Sequence, residues 1–420
     1  MENIELLFER NNGNGSGIKL DAGRLIIRVR ATDYDNGFNS IMKQVLVMMG
    51  SKESKKIEAV MKKRPFSGLE INRIISMINA AHAKYKTLKF SVILDLDKVV
   101  FIDKLTYVFL ECICYILIVK YHHPVYISMQ EIKDIGTSGI TSSPLLLLNT
   151  NKREKMLKFI EKFKFDIFHN HYRRVISGKE KENTNFLGEL YKEIDTFLIP
   201  FGIECECRDK VGLVITELVG NACEHAKAEC LIDIDVAPDY QKYEKDELVD
   251  DNNYYGINIT IINFSDKLLG DDVGTNILSK NIEDFEERYK QIFEAYSKHS
   301  QNFDELYNVE DFRNITVFQN RISGRGENHV TGGTGLTNLI RSLEERSDMY
   351  RCYVISGKKS LNFYKELLIY NKEGWIGFNE SNDYINEPPK EGVIGESFIF
   401  MPGTAYNLNF VMQGEKVNEE

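Results

Sequence analysis

The sequence predicts an α/β (α+β) protein of two parts, and three observations predict it. Strand-like and helix-like runs alternate through the first 150 residues, as an α/β unit requires. Beyond residue 184 the order becomes two helices, then strands around one more helix, which reads as a layered α/β sandwich with a mixed sheet. The composition is globular, 43% hydrophobic and 28% charged over 420 residues, enough for two or three domains.

Each element has its own signal. Asn11 to Gly17, rich in Asn, Gly and Ser, reads as a flexible opening loop. Arg24 to Val29 alternates like a strand, Ser40 to Met49 has helical spacing, and Phe90 to Leu96 is a β-branched apolar run. Leu105 to Val119 fits a helix and Pro124 to Met129 another strand. The stretch 151–183 mixes Lys155, Lys158, Lys162 and Lys164 with aromatic residues. It is read as a helical linker with solvated lysines rather than a single-strand nucleic-acid patch. Helices follow at Phe186 to Leu198, stopped by Pro200, and at Asp209 to Lys227. Strands are expected at Cys230 to Val236, Ile257 to Phe264 and near Tyr350, Tyr364 and Phe398, with an acidic loop from Pro238 to Tyr255 and a helix from Leu336 to Ser347.

Charge and cysteine usage narrow the class. A net charge of −10 disfavours a mainly electrostatic grip on nucleic acid or anionic membrane, so neither is expected as a partner. The opening MENIELLFER lacks a signal-peptide core, and Asp103, Lys104 and Glu111 interrupt the most apolar segment, Val99 to Val119. Seven cysteines without a CxxC pair read as reduced thiols, and a cytoplasmic location is expected. His122-His123 and His169-x-His171 have no completing ligands at zinc spacing and are read as ordinary core or surface histidines.

Two segments carry chemistry. In the helix Lys210 to Ala226, Val211, Leu213, Val214, Ile215, Leu218, Val219 and Ala222 cover nearly the whole circumference, the pattern of a buried helix. Glu217 and Asn221 nevertheless sit one turn apart on one face, with Glu224 beyond them. A buried carboxylate needs a partner or a wet cavity, and Mg²⁺ accepts amide and carboxylate oxygens while retaining waters. Either that or a polar pair satisfied by backbone groups explains the face. The second segment is Thr331-Gly332-Gly333-Thr334-Gly335-Leu336, directly before an apolar helix. Glycine backbone ahead of a helix N-terminus offers converging N–H groups to phosphates, though glycines also mark plain turns. Neither a GxxxxGK[ST] loop nor GxGxxG after a strand occurs, which removes the usual P-loop and the dinucleotide fingerprint.

In order along the chain, ELVGNACEHA (Glu217 to Ala226) and TGGTGLTNLI (Thr331 to Ile340) resemble two motifs of the GHKL ATPase superfamily, which spans gyrases, heat-shock chaperones, histidine kinases, mismatch-repair proteins and anti-sigma kinases. The resemblance covers residues 184–412 and implies a general-base role for Glu217, Mg²⁺ binding by Asn221 and triphosphate binding by the turn at Gly333 and Gly335. Gly403 and Thr404 resemble the final box near adenine. The family's adenine-reading Asp-x-Gly-x-Gly is absent. The strand ends instead in Asn263-Phe264-Ser265-Asp266, making Asn263 and Asp266 rival base readers. The insertion 265–328 stands where the family carries its ATP lid, and Lys298, His299, Arg321, Arg325 and His329 are candidate phosphate sensors.

In the first 150 residues, VILDLDKVVFIDKLTYVFLECI (Val92 to Ile113) is similar to the core of a STAS domain. Lys104 and Leu105 stand where that family's phosphoacceptor follows Asp103, leaving only Thr106, so the resemblance implies docking rather than phosphorylation. The expected layout is an interaction domain over 1–150, a linker over 151–183, an ATP-binding domain over 184–412 and a tail over 413–420. The implied cofactors are ATP and Mg²⁺, and the expected partner is a protein bound through the N-terminal domain or the lid. A homodimer is compatible with this. The leading function is an ATP-dependent conformational switch with slow hydrolysis; a serine/threonine kinase and a non-enzymatic scaffold in a stress or phage-defence assembly are the alternatives.

Overall fold

The computed structural model describes residues 1, 3–11, 19–21, 23–29, 64–86, 89–96, 99–101, 103–128, 136–137, 144–150, 152–177, 180, 183, 185–224, 226, 228–237, 243–244, 247–248, 254–279, 287–320, 322, 335–347 and 352–414. The helix expected at Ser40 to Met49 lies outside them, as does the loop Asn11 to Gly17 apart from Asn11. Helices and strands are mixed, with parallel and antiparallel pairing, so the α/β class holds. Two compact units divide the chain, Phe8–Arg174 with Asp233–Tyr254, and Met1–Leu7 with Val175–Ile232 and Tyr255–Glu420.

The N-terminal unit contains two small parallel sheets. Strands β1 (Arg24–Val29), β3 (Ser91–Leu96) and β5 (Val125–Ser128) form one in the order β1-β3-β5. β2 (Arg64–Phe66), β4 (Val99–Phe101) and β6 (Gly136–Thr137) form the other in the order β2-β4-β6. Parallel neighbours need crossovers, and two helices supply them. Helix α1 (Gly68–Lys84) starts at a capping box in which Ser67 and Glu70 satisfy each other's backbone N–H. Helix α2 (Lys104–Val119) is capped by Asp103, which accepts from the Thr106 N–H at 2.7 Å. Every residue of α2 from Lys104 to Leu117 is buried, Thr106 included, so the candidate hydroxyl is a core group.

Residues 153–176 form more than a helix. Helix α3 (Arg153–Lys164) buries Phe159 and Phe163 and leaves its lysines outside, as an amphipathic stripe does. It runs into a hairpin of β7 (Phe165–Phe168) and β8 (His171–Ile176), turned by His169 at φ 44°.

In the C-terminal unit, helices α4 (Phe186–Leu198) and α5 (Cys205–Glu224) pack together. Tyr191 fits only because Gly212 opposes it, since a Cβ there would lie 2.9 Å from the ring. β9 (Cys230–Ala237), β12 (Tyr254–Asn263), β13 (Tyr353–Asn362) and β14 (Ile394–Gln413) lie in the order β13-β14-β12-β9. β9, β12 and the middle of β14 are buried on both faces, which explains their unbroken apolar runs. β9 passes from this unit into the other, where its later residues lie beside β8. The short pair β10 (Tyr243–Glu244) and β11 (Glu247–Leu248) interrupts the expected acidic loop.

The insertion holds helices α6 (Asp271–Ser279), α7 (Glu287–His299) and α8 (Val309–Thr316), and α9 (Gly335–Arg346) begins at the last glycine of the glycine-rich segment. No strand forms at Tyr364. Tyr364 leads instead into a turn of 3₁₀ helix, Lys365–Leu367, and 368–393 is irregular chain packed on the insertion. There Trp375 stacks on Tyr384 at 5.2 Å, and the Arg288 guanidinium lies 3.7 Å over the Trp375 ring.

Candidate functional site

Helix α5 is not buried all round. Leu213 is 47% exposed, Glu224 is exposed, and Lys210, Glu217 and Asn221 are half-buried, so one open stripe runs down the helix. Helix α9 closes part of that stripe. Lys210 meets Glu345 at 2.8 Å, and seven residues further along α5 the Glu217 carboxylate meets Asn338, seven residues earlier on α9. The two helices therefore run antiparallel. The C-terminal turn of α5, with Asn221, continues towards the N-terminal end of α9.

Glu217 is held by a single neutral partner among the described residues. The Asn338 Nδ2 group donates to Oε1 at 3.2 Å and to Oε2 at 3.3 Å. Burial raises the carboxyl pKa, and the Asn338 hydrogen bond opposes that by favouring the ionised form. Among the described residues no opposite charge neutralises it: Lys210 and Glu345 pair with each other, and Arg346 donates to Cys207. Beside Asn338, the Thr337 hydroxyl reaches Asn320 Oδ1 at 3.4 Å, which joins the start of α9 to the insertion.

A second group of predicted residues gathers at the C-terminal end of β12. Gly403 (φ 90°) lies against Asn263, where a Cβ would come within 2.3 Å of the Asn263 carbonyl oxygen, so only glycine fits. The Ser356 hydroxyl donates to the Gly403 carbonyl at 2.6 Å and accepts from the Leu269 N–H at 2.9 Å. Asn263 and Thr404 are buried, whereas Asp266 is exposed.

No protein-family model, curated protein or solved structure matches the chain.

The structure thus brings Glu217 to the helix after the glycine turn, and Asn263 to Gly403 and Thr404. Thr331, Gly332, Gly333 and Thr334 lie outside the described residues; Gly335 and Leu336 open α9, with Leu336 half-buried. Of the proposed phosphate sensors, Arg321, Arg325 and His329 also lie outside. His299 is corrected: it is fully buried, with Nδ1 2.6 Å from the Tyr307 hydroxyl and Nε2 2.8 Å from the Tyr384 carbonyl, and burial lowers its pKa. It is a core residue. Lys298 spends its ammonium on Glu294 and Asn386.

Sequence reasoning missed Asn338. Its signal was a polar residue inside the stripe Leu336, Leu339, Ile340 and Leu343, one turn past Gly335. It also missed a charge cluster in the N-terminal unit. Asp233 and Asp235, two apart on β9, face one side of the strand; Lys104 pairs with both, lying 2.5 Å from Asp233, and Arg173 bridges Asp233 to Glu111. His171 lies 3.2 Å from Asp233 and 3.5 Å from Asp166. Burial alone lowers the His171 pKa, but Asp233 and Asp166 outweigh it and push it up to about 9. His171, Asp233 and Asp235 have the spacing to hold a metal ion. However, the Lys104 ammonium occupies the place between the two carboxylates that a cation would take. His82 Nε2 lies 3.0 Å from His123 Nε2, and burial followed by His123 lowers the His82 pKa to about 4, so that pair is a neutral core contact.

Proposed function

We propose that this chain binds Mg-ATP in its C-terminal unit and uses slow hydrolysis as a conformational switch controlling a protein partner. The observation that carries the reading is the approach of Glu217 to α9. The carboxylate motif and the helix after the glycine turn are 121 residues apart, yet their side chains are hydrogen-bonded. A half-buried carboxylate that meets no opposite charge among the described residues is in the environment in which a general base is kept.

The donor set fits the implied group. The Asn221 side chain makes no hydrogen bond among the described residues, so its amide oxygen is free for a hard cation. The first turn of α9 presents N–H groups without intrahelical partners, suited to phosphate oxygens. Asn263, buried beside Gly403 and Thr404, is favoured over exposed Asp266 as the residue that reads the base through its amide. Bound Mg²⁺ would neutralise phosphate charge and so ease attack at the terminal phosphorus. Glu217 would orient a water molecule and take its proton at a carboxylate oxygen.

The link from Thr337 to Asn320 favours a switch over plain turnover, because a change at the start of α9 acts directly on the insertion. A cytoplasmic location is part of the proposal: the seven cysteines are free and six are buried, in keeping with a reducing compartment. No helix among the described residues is long and apolar enough to cross a membrane.

Turnover by the purified chain tests this. Glu217→Gln is expected to lower the hydrolysis rate at least about 100-fold while retaining nucleotide. Equal turnover by both proteins would remove the general-base assignment. Phosphate found on a co-purified protein would select the kinase alternative.

A further inference from the structure

Resting on that reading, we propose that Asn338 is the positioning residue of the site, tying the Glu217 carboxylate to the helix that leaves the glycine turn. Its amide is the only group among the described residues that donates to Glu217, and it reaches both oxygens. A single N–H₂ group between two carboxylate oxygens fixes the plane of the carboxylate. It also favours the ionised form without neutralising it, as a lysine would. The placement matters as much as the bond. Asn338 lies three residues after Gly335, and its neighbour Thr337 is bonded to Asn320 of the insertion. A shift of the α9 N-terminus relative to α5 therefore moves the base, so contact at that N-terminus and orientation of the carboxylate are mechanically one event.

The charged groups around Glu217 leave this role to the amide. On α9, Glu345 is engaged by Lys210 and Arg346 by Cys207, and on the α4 side of α5 Asp209 accepts from the Tyr191 hydroxyl. Among the described residues, burial raises the carboxyl and the Asn338 hydrogen bond lowers it.

The test uses Asn338→Leu, Asn338→Ala and Asn338→Gln in the full chain. Mg-ATP affinity is expected to stay within about twofold of wild type, while kcat falls about tenfold or more in the leucine and alanine variants and is partly restored in the glutamine variant. The second readout needs no nucleotide. The stability difference between Glu217→Gln and its parent grows from the ordinary carboxylate pH and levels off where Glu217 titrates in the folded protein. That levelling-off pH should move up by about one pH unit, a tenfold change in proton affinity, when Asn338 is replaced by leucine or alanine. Alanine adds no bulk and covers the case in which leucine disturbs packing. An unmoved levelling-off pH, or a wild-type kcat in a folded Asn338→Ala protein, overturns the inference. Failure of the wild type to bind Mg-ATP would overturn the functional reading instead, and the stability readout would still decide the Asn338 pairing.

Discussion

Two acidic groups, one in each unit, are taken out of water in opposite ways. Asp233 is fully buried and met by Arg173, Lys104 and His171, and despite the cost of burial those cations hold its carboxyl well below the usual carboxylate range. Glu217 is half-buried and, among the described residues, met by one neutral amide, and burial raises its carboxyl. A compensated charge is inert; it fixes a fold and offers nothing to a ligand. An uncompensated one is held at a cost in stability, and such costs concentrate where chemistry is done. On the proposed function, the first group is a structural network and the second the working carboxylate of the site.

The sharpest way to break the comparison is to remove compensation from the first site. Arg173→Leu strands Glu111 and part of Asp233 in the core, and equilibrium denaturation should show a loss of about 3–5 kcal/mol. Adding Glu111→Gln should recover part of it. A loss below about 1 kcal/mol would mean that the network is wet rather than buried.

A smaller effect comes from pH. The His171 pKa is raised from 6.5 to about 9, so its imidazolium contributes fully below pH 6.5 and the contribution disappears as pH rises through about 9. Wild-type stability should fall across that window, by at most about 3 kcal/mol, and His171→Asn should flatten the curve. A curve of unchanged shape in the variant would show that His171 is neutral throughout.

The smallest effect has the opposite sign. A raised carboxyl makes Glu217 a net liability at pH 7, present as pH rises above the ordinary carboxylate range and absent below it. Glu217→Gln should therefore raise Tm by about 1–3 °C at neutral pH and leave it unchanged near pH 4. Destabilisation by Glu217→Gln would place this carboxylate with Asp233 as a structural group.

The fold was legible where side-chain period and burial agreed. Phe186–Leu198 matches its predicted bounds, and a strand forms at Ser91–Leu96 within the apolar run Phe90 to Leu96, though only every second residue of it is buried. The hairpin Phe165–Phe168 with His171–Ile176 was hidden, because lysines and aromatics at mixed spacing read as a connecting helix. The missing strand at Tyr364 has a local cause: the Tyr364 hydroxyl donates to the Gly392 carbonyl, and the chain turns at Lys365–Leu367 instead of extending. At the site, Glu217 stood out because a carboxylate in an apolar helix demands explanation. His299 misled, since a histidine beside a lysine in a polar insertion gives no sign that Tyr307 and the Tyr384 carbonyl enclose it. Asn338 and the Asp233 network were not legible because their partners lie 121 and 60 residues away in sequence. Only packing pairs them.

The most direct measurement is calorimetric titration of the full chain with Mg-ATP, wild type against Asn221→Ala and Glu217→Gln. Binding by the wild type, loss of at least about tenfold in affinity for Asn221→Ala and retention by Glu217→Gln is the predicted pattern. Wild-type affinity in Asn221→Ala would contradict the assignment of the α5 stripe as the Mg-ATP site.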